Sequence, residues 1–193
     1  LGAQFGPSLW DGQFWRLGVS MFLHGNTLHL VMNLYALYIL GWTLEPLLGH
    51  RRFLALFLLG GMAGSACSSI IHPMRVSIGA SGAVFALAGA AFIGRVFFVG
   101  DMRKTLLEPF GLYLGLFILY SLVSGLMQSG VDNAAHLGGL VAGVLLGGHL
   151  ALISSKTRTC SSRALILFIL GLIFIITSVV YSIRPRFSTS WAA

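Results

Sequence analysis

The chain is 193 residues long, 56% hydrophobic and only 9% charged, where an ordinary soluble domain is roughly a quarter charged. That composition excludes a soluble globular domain, a disordered segment, a coiled coil and a secreted disulfide scaffold. The formal net charge of +7 does not indicate a nucleic-acid partner, because the basic residues lie between long apolar segments, where they set membrane topology.

Taken in chain order, the charged residues leave six charge-free windows: 17–44, 53–74, 76–94, 109–131, 133–155 and 164–183. Each is long enough for the ~20 apolar residues that cross a bilayer core. Lipid has no partners for backbone N–H and C=O groups, so unbroken windows of this length predict helices. The expected fold is an all-α polytopic membrane protein with six transmembrane helices. One domain over 1–193 is expected, since no internal repeat or low-complexity segment interrupts the pattern. Many of the 25 glycines fall inside the windows, where they mark faces on which helices approach closely.

Orientation follows from the distribution of Lys and Arg. With residues 1–24 outside, the inner segments hold Arg51, Arg52, Arg95, Arg103, Lys104, Lys156, Arg158 and Arg163, eight in all. The outer segments hold Arg16, Arg75, Arg184 and Arg186, four in all, which places both ends outside. Trp10, Trp15 and Trp191 then fall near the outer interface and Trp42 near the inner one. Cys67 and Cys160 lie at opposite sides, so they are not expected to pair, and Cys67 reads as a small buried packing residue. The opening at Leu1 has no basic region followed by an apolar core, so no signal peptide is read there and the chain is expected to start partway through a larger protein.

Polar residues inside apolar windows are costly and usually face a partner or a cavity. The first group is His24, His29 and Asn33 in H-G-N-T-L-H-L-V-M-N, with His24 just before the helix and His29 and Asn33 sharing a face. The second is Ser81 in S-I-G-A-S-G-A-V-F, and the third is His136 in D-N-A-A-H-L-G-G-L-V-A-G. The helices bearing Asn33, Ser81 and His136 are the first, third and fifth, so all three run inward and carry these residues near their outer ends. Ser81, Phe85, Ala88 and Gly89 are read as one face, and His136, Gly139 and Gly143 as another. Two such faces in close contact would bring the Ser81 hydroxyl within hydrogen-bond reach of the His136 imidazole.

A serine hydroxyl needs a base to become a nucleophile, and imidazole suits that task. Attack on a peptide carbonyl also needs donors for the oxyanion. The Asn33 amide, the His29 imidazole and backbone N–H groups at Ser81, flanked by Gly79 and Gly82, are the candidates. Asp132 precedes His136 by four residues at a loop end and is not read as a third member, so a dyad is expected. Each residue also has a plainer reading. Serine among Gly and Ala is ordinarily helix packing, and His50, His72 and His149 read as interfacial residues without polar company. A metal site at His24, His29 and His136 is disfavoured because no carboxylate or Cys accompanies them in the outer half.

The ordered motifs resemble those of the rhomboid family of intramembrane serine proteases. They are W-R at Trp15 and Arg16, H-x-x-x-x-H-x-x-x-N at His24, His29 and Asn33, and L-G-x-x-x-E at Leu40, Gly41 and Glu45. G-x-S-G follows at Gly79, Ser81 and Gly82, and A-H-x-x-G-x-x-x-G at Ala135, His136, Gly139 and Gly143, so the match runs over about 14–150. The resemblance implies endoproteolysis of transmembrane protein substrates within a lipid bilayer, near its outer face. Ser81 is then the nucleophile and His136 the general base, with His29 and Asn33 assisting the oxyanion and neither metal nor organic cofactor required. His24 is implied as support for the outer loop, and Phe85 matches an aromatic position, often Tyr, that packs on the histidine. The family's first helix has no counterpart here, and the window 164–183 is implied as an additional span after the core. A bacterial inner membrane is the expected location, with the site toward the outer side. Two competing readings remain: a catalytically silent rhomboid-like protein that binds membrane clients, and a small transporter, for which the inner halves of the spans lack ionisable groups. The motifs carry no statement of oligomeric state.

Overall fold

The computed structural model describes residues 2–128 and 130–154. Five helices there are long and apolar enough to cross a membrane: α3 (Thr27–Leu48), α4 (His50–Ile71), α5 (Ser81–Val99), α7 (Pro109–Met127) and α8 (Asn133–Ser154). Short helices α1 (Gly6–Trp10), α2 (Arg16–Val19) and α6 (Met102–Leu107) lie between or before them. Among the described residues no β-strand forms, and an isolated antiparallel bridge joins Gln4 to Ser77. The expected sixth span, 164–183, lies outside the described residues, as do Cys160, Arg184, Arg186 and Trp191.

The helix limits correct the charge-free windows, because caps rather than charges end a helix. The first charge-free window opens at 17, but α3 starts at Thr27, after His24 as the residue pattern suggested. Its start is set by Asn26, whose side-chain oxygen accepts from the His29 N–H at 2.8 Å. Residues 16–22 instead form α2 and a 3-10 turn that lie in the preceding loop. Arg51 and Arg52 sit inside the first turn of α4, and Arg95 lies within α5, where its Nε donates to Glu108 at 2.8 Å. Gly49, at φ 76°, turns the chain directly from α3 into α4.

Helix α5 is the centre of the bundle. Every residue from Gly82 to Ala91 is buried, and α4, α8, α3 and α7 all pack around it. Its closest neighbour is α8, and the reason is the absence of side chains. A Cβ at Gly139 would strike the Gly82 carbonyl, and one at Gly143 the Ala86 carbonyl. The two backbones therefore meet directly, as small-residue faces allow in lipid. The predicted α8 face at Gly139 and Gly143 is the one used; on α5 the predicted Phe85 and Gly89 meet α8, at His136 and the Leu140 carbonyl, and the backbone of Gly82 and Ala86, outside the predicted set, faces the two glycines. By contrast α3 and α7 expose Leu28, Val31, Tyr38, Trp42, Leu116, Leu119 and Tyr120, apolar surface suited to lipid.

Candidate active site

The site lies where α3, α5 and α8 begin. Ser81 is the first residue of α5, His136 the fourth of α8 and Asn33 the seventh of α3, so all three sit at the same end of the bundle. Glu45 and His149 lie toward the other ends of α3 and α8.

Gly82 and Gly139 hold the α5 and α8 backbones together just beside Ser81 and His136. One turn into α5, Phe85 is fully buried and its ring stacks on the His136 imidazole, with centroids 4.3 Å apart and planes 7° from parallel. Ser81 precedes Phe85 by four residues and so shares its helix face. Serine and histidine thus occupy one helix crossing. Among the described residues no hydrogen bond joins the hydroxyl to the ring, which differs from the reach the residue pattern suggested. A gap of this kind is common before substrate draws catalytic groups together. Among the same residues the buried Nδ1 of His136 has no partner either.

Donors surround the start of α5. The intrahelical bonds begin with the Val84 N–H on the Ala80 carbonyl, so the N–H groups of Ser81, Gly82 and Ala83 lack intrahelical acceptors. Gly79 adopts φ 118°, a conformation that favours glycine. A Cβ there would also lie 2.6 Å from Cε1 of His29, so the His29 ring rests directly on the loop that delivers Ser81. The Gly79 N–H donates to the Ser20 carbonyl at 2.9 Å, which fixes that loop against the turn before α3. His24 packs edge-on against His29, with ring centroids 5.0 Å apart, and its buried Nε2 has no partner among the described residues. Asn33 is buried, and its Nδ2 donates to the His29 carbonyl at 2.9 Å. The side chain therefore holds its own helix with one proton and keeps a second for another acceptor.

The loop before α3 is tied by Arg16, whose guanidinium donates to the Ala3 carbonyl at 2.9 Å and to Gln13 at 2.7 Å while covering the Trp15 ring. Of the histidines read as lacking polar company, His50 instead pairs with Glu45 at 2.5 Å, because Gly49 folds the start of α4 back on the end of α3. Cys67, expected to be buried, is half-buried, against Gly138.

Two features escaped the residue pattern. The Gln4 and Ser77 backbones pair at 3.0 and 2.9 Å, clamping the segment before Ser81 onto the N-terminal residues. Asp132 is buried and caps α8: its Oδ1 accepts from the Ala135 N–H at 3.1 Å and its Oδ2 from the Ser68 hydroxyl at 2.5 Å. An Asp just before an apolar helical run is a cap signal, so the cap was legible, but its partner on α4 was not.

The Rhomboid domain family model matches residues 11–152. The chain is similar to Rhomboid protease GluP of Bacillus subtilis, 34% identical over 151 residues that cover 78% of this chain and 29% of that protein. It is 31% identical to Rhomboid protease AarA of Providencia stuartii, covering 81% of this chain and 64% of that one. Rhomboid-like protease 5 of Toxoplasma gondii is 35% identical, over 70% of this chain and 16% of its own length. The chain thus spans less than two thirds of each of these relatives. A family match over most of its length, on five apolar helices, makes this chain an integral membrane protein of the rhomboid family.

Proposed function

We propose that the chain carries the active site of an intramembrane serine endopeptidase that cleaves transmembrane proteins by a Ser81 and His136 dyad. The observation that carries this reading is the stack of Phe85 on His136 beside the Gly82 and Gly139 crossing, which sets the imidazole on the helix face that Ser81 begins. In this mechanism His136 takes the Ser81 proton as Oγ attacks the scissile carbonyl carbon. The carbonyl oxygen becomes an oxyanion, met by N–H groups at the start of α5, the Asn33 amide and the His29 ring. His136 returns the proton to the leaving amine as the C–N bond breaks. It then takes one from water, whose oxygen attacks the acyl carbon, and gives that proton to Ser81 Oγ as the acyl C–O bond breaks, releasing the acid product and restoring serine and imidazole. His24 supports His29, Phe85 holds the imidazole, and Gly79 leaves room for the His29 ring.

We read the pair as a dyad: among the described residues His136 Nδ1 has no partner, and the Asp132 carboxylate accepts from Ser68 and Ala135. The reading takes 1–193 as one rhomboid-like domain with an additional span at 164–183. The eight to four distribution of Lys and Arg supports a site facing outward, and the short loops support a bacterial inner membrane.

Labelling of the full-length protein in membranes with a fluorophosphonate serine probe tests the reading. Labelling is expected for the natural sequence and absent from Ser81→Ala and His136→Ala. The two substitutions together should cost no more turnover than either alone, because nucleophile and base act as a unit. Labelling that survives Ser81→Ala overturns the mechanism. A folded protein that neither labels nor cuts, yet retains membrane clients, is the catalytically silent alternative.

A further inference from the structure

The Asp132 carboxylate is 9% exposed and receives three donors from three parts of the fold. The Ser68 hydroxyl donates from α4 at 2.5 Å, the Ala135 N–H from the first turn of α8 at 3.1 Å, and the Ser77 hydroxyl from the segment leading into Ser81. The Asp132 backbone carbonyl accepts from the His136 N–H itself at 3.1 Å. Arg75 closes the group: it donates to the Val131 carbonyl at 2.9 Å and places a positive charge near the carboxylate. Ser77 is in turn held by its two backbone bonds to Gln4.

A buried carboxylate is costly unless several donors meet it, and here they come from α8, which carries His136, from the segment that leads into Ser81, and from α4, which packs against both helices. Its side chain is not a third member of a triad, since the ring nitrogen it would need to reach has no partner. We propose that Asp132 is a positioning residue: it locks the His136 end of α8 to α4 and to the Ser77 segment, fixing the imidazole relative to Ser81. The proposal rests on the serine protease reading above. Without this tie, the first turn of α8 loses its cap and the His136 amide its fixed neighbour, so the ring has more orientations open to it while the Gly139 and Gly143 crossing still holds the helices together.

The test measures both the rate and the final extent of fluorophosphonate labelling in the full-length protein. Asp132→Ala is expected to slow labelling about tenfold to a hundredfold, the scale of a small misplacement of reacting groups, with the final extent unchanged. Asp132→Asn retains one cap oxygen and should recover part of that loss. Ser68→Ala with Ser77→Ala should slow labelling too, and adding them to Asp132→Ala should cause little further loss. A natural rate in Asp132→Ala, or a reduced extent at an unchanged rate, overturns the proposal. Should Asp132→Ala not fold, the paired serine variant decides, and an unchanged rate there overturns it. Labelling that persists in Ser81→Ala overturns the protease reading itself, and this proposal with it.

Discussion

The Phe85 ring lies flat on the His136 imidazole, 4.3 Å between centroids and 7° from parallel, with Phe117 against its other surroundings at 5.9 Å. A stacked ring restricts imidazole rotation without using either nitrogen. Phe85→Leu keeps most of the buried volume and removes the plane. Turnover should fall about tenfold while the protein stays folded, since orientation rather than packing is lost. Phe85→Tyr should retain activity. Cleavage of a model transmembrane substrate, normalised to folded protein, checks both, and a fully active Phe85→Leu would remove the stack from the mechanism.

Asn33 uses one amide proton on the His29 carbonyl, leaving a second free for the oxyanion that the proposed mechanism forms. Removing a single oxyanion donor can cost about a hundredfold to a thousandfold, but His29 and the α5 N–H groups share the charge, so Asn33→Ala should lose roughly tenfold to a hundredfold. The loss should fall on kcat, with KM little changed. A loss confined to KM would recast Asn33 as a substrate-binding residue.

Gly139 and Gly143 face carbonyls of α5, whereas Gly115 on α7 has open space around its Cα. Gly139→Ala should cost about 1–3 kcal/mol by forcing the backbones apart. Gly115→Ala should be neutral or stabilising by up to about 1 kcal/mol through helix propensity. Thermal denaturation in a mild detergent compares the two. Equal melting temperatures would mean that the close crossing contributes little to stability.

Burial alone would raise the Asp132 carboxyl, but the Ser68 and Ser77 hydroxyls, the Ala135 N–H and the Arg75 charge outweigh it and hold the group below the usual carboxylate range. A folded value below the unfolded one stabilises the protein above the unfolded value and loses that contribution as pH falls through the folded one. The stability gap between the natural protein and Asp132→Asn should therefore be constant above about pH 5 and narrow below about pH 4. Melting curves of both proteins across that range test this. A gap that widens on acidification would reverse the assigned sign.

The candidate site residues were legible because three motifs fall at the starts of α3, α5 and α8, where His29, Asn33, Ser81 and His136 are chemically distinct in an apolar background. The α3 start was harder to read. Residues 17–26 are uncharged, so charge alone extends the first window across them; the polar run from His24 marks a later start, and the Asn26 cap fixes it at Thr27. The pairing of His50 with Glu45 likewise needs the Gly49 turn, since five residues along one continuous helix would not bring the two side chains together.

Composition and spacing by themselves determined that this chain is a helical membrane protein, because lipid leaves a charge-poor chain no other way to satisfy its backbone. They also determined which few polar residues could carry chemistry, and their order matched one family. The tertiary structure decided which surfaces meet. Gly82 and Ala86 lie against Gly139 and Gly143, and Asp132 reaches Ser68, sixty-four positions away. Periodicity assigns a residue to a face of its own helix, whereas register between two helices depends on which backbones can approach, and that is set by steric fit among atoms distant in the chain.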